Sequence, residues 1–290
     1  MTVLSLLRRH RRNGHAPGGY RDAFVLSGGG SLGAIQVGAL QSLLEAGVRP
    51  DVLVGCSVGA LNAAFIGADP SPDRLAELEA LWLSIDRAHV FPSSRRSIAG
   101  HLVRRDTHLY EPHGLHDLVN RFVPADDLAD LAVPVHVVTT DLLSGQPAWW
   151  TSGDPRQVLV ASASLPGLFP PVDLADSLHV DGGVTCPVPV QRAVELGAER
   201  IWVIDVTGGS IGRRDSRMTA LDVLLTSFAI SRYRLASHEL PTPVGRPVIP
   251  MPRVEVGHHE LRDFSRTAQL IDMGREAGQR MVQQELTPAG

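Results

Sequence analysis

The pentapeptide Gly55-Cys56-Ser57-Val58-Gly59 fits G-x-S-x-G and stands between the apolar run Val52–Val54 and the helix-like stretch ALNAAFIGA. In that context it reads as a nucleophile elbow. A sharp strand-to-helix turn leaves no room for side chains at Gly55 and Gly59 and lifts Ser57 Oγ above the carboxyl ends of the strands. A serine hydroxyl at its free pKa is a poor nucleophile and needs a base. The chain offers two kinds. One is a histidine in the order Ser, Asp, His, with Asp205 at the end of IWVIDV followed by His238, His258 or His259. The other is the carboxylate of Asp181 in Leu178-His179-Val180-Asp181-Gly182-Gly183, at the end of a strand-like run and followed by two glycines.

A second chemical feature precedes the elbow. In FVLSGGGSLGAI (24–35), Gly28, Gly30 and Gly33 fit G-x-G-x-x-G between an apolar run and the start of a helix. Such a loop suits an anion, either a nucleotide pyrophosphate or the oxyanion of an acyl-transfer intermediate. A dinucleotide site needs an acidic side chain about 20 residues onward, ending the second strand. Asp51 is near that distance but precedes the strand Val52–Val54, and the strand leads directly into the Ser57 elbow.

The elements that must carry these residues alternate. Strand-like runs occur at Ala23–Leu26, Val52–Val54, Val135–Thr139, Leu178–Val180, Ile201–Val206 and Val248–Ile249. Helical periodicity covers Ala34–Ala46, Val58–Gly67, Pro72–Ile85, Pro155–Ala163, Val190–Leu196, Leu221–His238 and Leu261–Glu285. Strands alternating with helices imply crossover connections, so the expected fold is α/β: a three-layer α/β/α sandwich with a mainly parallel sheet. The expected organisation is a flexible basic arm at 1–21 and a single domain at 22–290, with a motif-bearing core at 22–206 and a helical part at 217–285. Residues 86–134, irregular and rich in arginine and proline, are a candidate lid or insertion, and residues 208–219 are a polar break. There is no internal repeat.

Composition narrows the chemistry. The 290 residues carry a formal net charge of -4, which gives no electrostatic reason to expect nucleic acid as a partner. All 27 basic residues are arginine, so a Walker A loop, a Schiff-base lysine and a Ser-x-x-Lys pair are excluded. Two cysteines, Cys56 and Cys186, make neither a disulfide framework nor a four-thiolate zinc site, and a reducing cytoplasm is the expected compartment. His258-His259 has no third spaced ligand; no metal or cofactor is expected. The uncharged run from Ala23 to Leu44 is long enough for a membrane span, but three consecutive glycines and Ser27, Ser31, Gln36 and Gln41 argue for a buried strand, loop and helix. The N-terminus places its apolar stretch before its arginines, the reverse of a secretory signal, and suits a mobile basic arm; the alternative is weak attachment to an anionic membrane surface through the arginines.

The segments GGGSLG, GCSVGALNAA, TDLLSG, and ASASLPGLFPPV followed by VDGG closely resemble, in motif and order, the patatin-like phospholipase family. The resemblance covers roughly Asp22 to Val206. It implies a lipid acyl hydrolase, of phospholipase A or carboxylesterase type, with a Ser-Asp dyad in place of a triad: Ser57 as nucleophile and Asp181 as general base. The substrate would be a lipid or other acyl ester. The glycine loop would be the oxyanion hole, formed at Gly28, Gly29 and Gly30, with the N–H groups of Gly29 and Gly30 aimed at the developing charge. Gly33, Gly55, Gly59, Gly182 and Gly183 would support the motifs. In one departure, Leu32 stands where the family usually has arginine or lysine. That removes a cation beside the site and tilts the expectation toward a neutral ester. The rival readings are an α/β-hydrolase esterase with a Ser-His-Asp triad and a non-catalytic lipid-binding or membrane-recruiting protein.

Several other residues have ordinary roles to weigh. His179, two residues before Asp181, shares its strand face and either tunes the carboxylate or simply packs. Cys56 at an inner elbow position is core packing. Leu165, Leu168 and Phe169 line an acyl pocket or pack beside it. Trp149-Trp150 ends a strand or rests at a lipid interface.

Overall fold

The computed structural model describes residues 19–92, 107–123, 125–210, 219–239, 247–257 and 259–286. Eight strands form one sheet: β1 (Asp22–Leu26), β2 (Val52–Cys56), β3 (Val135–Asp141), β4 (Pro147–Trp150), β5 (Val172–Leu174), β6 (Ser177–Asp181), β7 (Arg200–Ile204) and β8 (Val248–Pro250). Their order is β5-β6-β3-β2-β1-β7-β8, with β4 also paired to β3. The run β3-β2-β1-β7-β8 is parallel, whereas β4, β5 and β6 pair antiparallel. The sheet is therefore mixed, with the expected parallel centre and an antiparallel margin that carries Asp181.

The helices are α1 (Gly33–Glu45), α2 (Val58–Gly67), α3 (Pro72–Leu83), α4 (Arg87–Val90), α5 (His113–Phe122), α6 (Pro155–Ala163), α7 (Val190–Glu195), α8 (Ala220–Glu239) and α9 (Thr267–Leu286). Side chains alternate across a strand, and β1 shows the consequence. Phe24 and Leu26 enter a large core with residues of α1, α2 and α3, while Ala23 and Val25 enter a smaller one with Val190, Ala193 and Ala236. Two cores on opposite faces of one sheet give the three layers. Helix α1 is buried on nearly every side, as its apolar sequence requires, because the sheet covers one flank and α9 the other. That second contact is close: a Cβ at Gly278 would lie 2.9 Å from Ala39 Cα.

Local signals set several boundaries. Helix α3 starts on Ser71, whose side chain accepts from Arg74 N–H, with Pro72 at its first position; α6 starts likewise on Asp154 and Pro155. The uncharged run from Ala23 becomes β1, the glycine loop and α1, and no helix among the described residues is long and apolar enough to cross a membrane. Asp51, near the ribose-binding distance, instead accepts from the N–H groups of Arg21 and Asp22. Residues 1–18 of the expected arm lie outside the described residues.

Candidate active site

Ser57 sits between β2 and α2 with φ 54° and ψ −126°, a conformation costly for a residue with a Cβ. The surroundings hold it there. Its N–H donates to Ser162 Oγ at 3.0 Å, Ser162 Oγ donates to the Val138 carbonyl at 2.7 Å, and its own carbonyl accepts from Ala60 N–H at 2.9 Å. The two elbow glycines are forced by backbone crowding. A Cβ at Gly55 would meet Ala60 Cα at 2.6 Å, and one at Gly59 would meet the Ser27 carbonyl oxygen at 2.5 Å.

Asp181 ends β6, whose pairing with β3 sets Asp181 opposite Thr139. Ser57 Oγ donates to Asp181 Oδ2 at 2.6 Å, and Gly183 N–H donates to Oδ1 at 2.7 Å. Its backbone is anchored on both sides, N–H to the Ser164 carbonyl at 2.9 Å and C=O from Thr140 Oγ1 at 3.0 Å. The carboxyl is fully buried, and burial pushes its pKa above the usual carboxylate value. The opposing influences are, in order, the Arg232 charge and the hydrogen bonds from Ser57 and Gly183. Gly182 is packed against β3, where a Cβ would come within 2.7 Å of Val138 Cγ1.

Of the histidine candidates, His259 is among the described residues and turns to the glycine loop. His259 is buried with Nε2 2.9 Å from Ser31 Oγ, and Asp205 accepts from Thr207 N–H at 2.8 Å. His258 and the His238 side chain lie outside the described residues. His179 turns to Thr139, Nδ1 to Oγ1 at 2.9 Å, with the Trp150 ring edge-on at 5.4 Å. Trp150 itself ends β4 and donates to Thr139 Oγ1 at 2.8 Å. The Cys56 thiol is buried, and burial, then the Asp181 charge, pushes its pKa well above the ordinary value.

The glycine loop runs from β1 through a short 3₁₀ turn, Gly30–Leu32, into α1. One expectation is corrected here: Gly28 N–H donates to the Pro187 carbonyl at 3.1 Å, so that amide is committed to the fold. Among the described residues the amides of Gly29 and Gly30 make no such turn or loop bond. Gly30 adopts φ 56° and lines the same cavity as Ser57. The far side of the loop is held by the C-terminal part of the chain, since Ser31 N–H donates to the Leu261 carbonyl at 2.9 Å beside the His259 contact.

The cation absent from the loop has a counterpart elsewhere in the chain. Leu32 is only 1% exposed and belongs to the core, and Arg232 of α8, far along the chain, reaches the dyad instead. A Cβ at Gly28 would lie 2.5 Å from Arg232 Nη2 and 3.1 Å from Ser57 Cβ. The loop substitution thus does not leave the dyad without a positive charge.

Beside Ser57 and Gly30 opens a cavity walled by apolar side chains such as Leu61, Trp82, Leu118, Leu165, Phe169 and Phe264. Leu168 is buried in the core and not among its lining residues. The segment expected as a lid or insertion contributes Val90, Phe91, Leu115, Leu118 and Phe122 to this wall. Behind the loop, a buried polar chain missed in the sequence ties three helices: Trp82 Nε1 donates to Asn62 Oδ1, and Asn62 Nδ2 donates to Gln36 Oε1, both at 2.9 Å. Gln36 Nε2 in turn donates to the Ser27 carbonyl at 2.8 Å. Two buried amides one helix apart were the available signal.

Residues 24–194 match the family described as Patatin-like phospholipase. The chain is 31% identical over 186 residues to mouse Patatin-like phospholipase domain-containing protein 7, a match covering 63% of this chain and 13% of that protein. It is 30% identical over 190 residues to Lysophospholipase nte1 of Aspergillus terreus, covering 64% of this chain and 12% of that one. An uncharacterized NTE family protein of Mycobacterium bovis is 26% identical over 192 residues, with 66% and 51% covered. Among solved structures, VipD from Legionella pneumophila overlays with a TM-score of 0.45 at 14% identity, covering 91% of this chain and 67% of that one. With the family matched over more than half its length, this chain belongs to the patatin-like phospholipases.

Proposed function

We propose that the protein is a lipid acyl hydrolase that cleaves carboxylic esters through an acyl-enzyme, using Ser57 and Asp181 as its dyad. The observation that carries this reading is the 2.6 Å hydrogen bond from a strained, elbow-borne serine to a buried carboxylate, with an apolar cavity opening at the serine. A carboxylate is a weaker base than imidazole, and its burial raises its affinity for the proton it must accept.

In this reading the acyl chain enters the apolar cavity and its ester carbonyl lies against Ser57. Asp181 Oδ2 takes the hydroxyl proton as Oγ attacks. The N–H groups of Gly29 and Gly30 stabilise the oxyanion; losing one such donor costs about 2.7–4 kcal/mol of transition-state stabilisation. Asp181 returns the proton to the departing alcohol, then deprotonates the water that releases the fatty acid. Residues 22–290 act as one domain, because α8 and the 259–261 segment bear on the site from outside the core motifs. The substrate is an acyl ester of a membrane lipid reached by peripheral contact, and the proposed compartment is the cytoplasm.

The test is fatty-acid release from a panel of lysophospholipids and monoacylglycerols by the purified protein. Release abolished by Ser57→Ala is the expected result. Release that persists in that folded variant removes the proposal.

A further inference from the structure

Arg232 is buried, at 4% exposure, yet its Nε and Nη2 groups make no hydrogen bond among the described residues. Desolvating a guanidinium without a partner is costly, so a compensating charge is to be sought nearby. It lies across two glycines. A Cβ at Gly183 would sit 2.8 Å from Arg232 Nε and 2.9 Å from Asp181 Oδ1, and a Cβ at Gly28 would sit between Arg232 Nη2 and Ser57. The guanidinium therefore fills the space that both glycines leave open, its Cζ 5.5 Å from the centroid of the Phe228 ring.

We propose that Arg232 is the counter-charge of the site, a positioning residue that keeps the buried Asp181 carboxylate ionised without binding it. The stand-off is the functional point. A bidentate Arg-Asp pair would occupy the carboxylate oxygens, whereas here Oδ2 stays with Ser57 and Oδ1 with Gly183 N–H. The positive field acts across Gly183 and leaves the proton-accepting oxygen to the nucleophile.

Among the described residues, the other titratable groups near the carboxyl do not supply this charge. Cys56, at the end of β2, is a buried thiol held neutral, and His179 on β6 faces Thr139 and Trp150. Strand β3 and helix α6 present Thr140 Oγ1 and the Ser164 carbonyl to the Asp181 backbone. Cys186, past the 3₁₀ turn, adds a second thiol near Cys56. Arg232 is also the strongest influence opposing the effect of burial on Asp181. Its helix lies outside residues 24–194, so the cation absent from the glycine loop at Leu32 is supplied by another part of the chain.

This inference rests on the Ser57-Asp181 reading, and the experiment separates the two. Hydrolysis of a soluble short-chain p-nitrophenyl ester is followed against pH in the parent, Arg232→Met, Arg232→Gln and Arg232→Lys. Removing the charge is expected to move the acid limb of kcat/KM upward by about one to three pH units. Arg232→Lys, which keeps the charge, is expected to hold the limb close to its parent position. A limb that stays in place in a folded neutral variant, or that moves equally in Arg232→Lys, overturns the role. A parent without activity that Ser57→Ala abolishes sinks the dyad reading instead. If neither neutral variant folds, the Asp181 carboxyl is followed by ¹³C NMR in the parent and Arg232→Lys. At neutral pH an ionised carboxylate is expected in both, and a protonated carboxyl in the parent overturns the proposal.

Discussion

Ser57 and Asp181, 124 positions apart in the chain, are joined by a 2.6 Å hydrogen bond inside the protein, with the Asp181 carboxyl wholly withdrawn from solvent. Burial makes this carboxyl harder to ionise, and that fixes the direction of its pH dependence. Only the ionised form accepts the serine proton. The acid limb of kcat/KM is therefore expected to have its midpoint above about 3.9, the ordinary value for aspartate, and to disappear in Asp181→Asn. A pH-rate profile on a soluble ester reads it. For folding the sign is opposite: a raised carboxyl pKa contributes stability below about pH 3.9 that is lost as pH rises through the raised value.

The backbone at Ser57 gives a second expectation. At φ 54° a Cβ is strained and a glycine is not. Ser57→Gly and Ser57→Ala should both be inactive, with the glycine variant more stable by about 1 kcal/mol. Thermal unfolding of the two variants side by side measures this.

In the proposed reading the apolar cavity is expected to set acyl length. Leu118, partly buried on its wall, offers a place to narrow it. If Leu118→Trp excludes two methylenes, each worth about 0.8 kcal/mol, kcat/KM for a long-chain ester should fall roughly tenfold relative to the butyrate ester. A chain-length series of p-nitrophenyl esters checks the ratio.

The Gln36-Asn62-Trp82 chain predicts a stability effect away from the chemistry. Asn62→Leu strands the Trp82 Nε1–H donor and the Gln36 amide oxygen in the core. The expected loss is about 1–3 kcal/mol, read from denaturant unfolding.

Much of this site was legible because short local patterns encode it. The G-x-S-x-G elbow needs its glycines within a few residues of Ser57, and the crowding at Gly55 and Gly59 is the structural form of that rule. Asp181 was legible through the strand-like run before it and the glycines after it, and the expected α2 and α6 have the observed boundaries. Other features depend on tertiary placement. Strands β4 and β5 have only four and three residues, too short for alternation to stand out, so the antiparallel margin was not foreseen. Gly28 looks like its neighbours in sequence, and only the approach of Pro187 commits its amide. Arg232 lies on a helix with many exposed residues, and nothing in its spacing marks it as a charged side chain that turns inward. The latch of residues 259–261 on Ser31 likewise joins segments more than 200 positions apart.

The central claim is that the Asp181 carboxylate removes the Ser57 proton, and Asp181→Asn tests it most directly because asparagine keeps the shape and loses the base. With both folds verified by circular dichroism, kcat/KM of Asp181→Asn on an acyl ester should drop by about 10²–10⁴-fold, toward the level of Ser57→Ala. Turnover by Asp181→Asn close to that of the parent would contradict the account and place the base elsewhere.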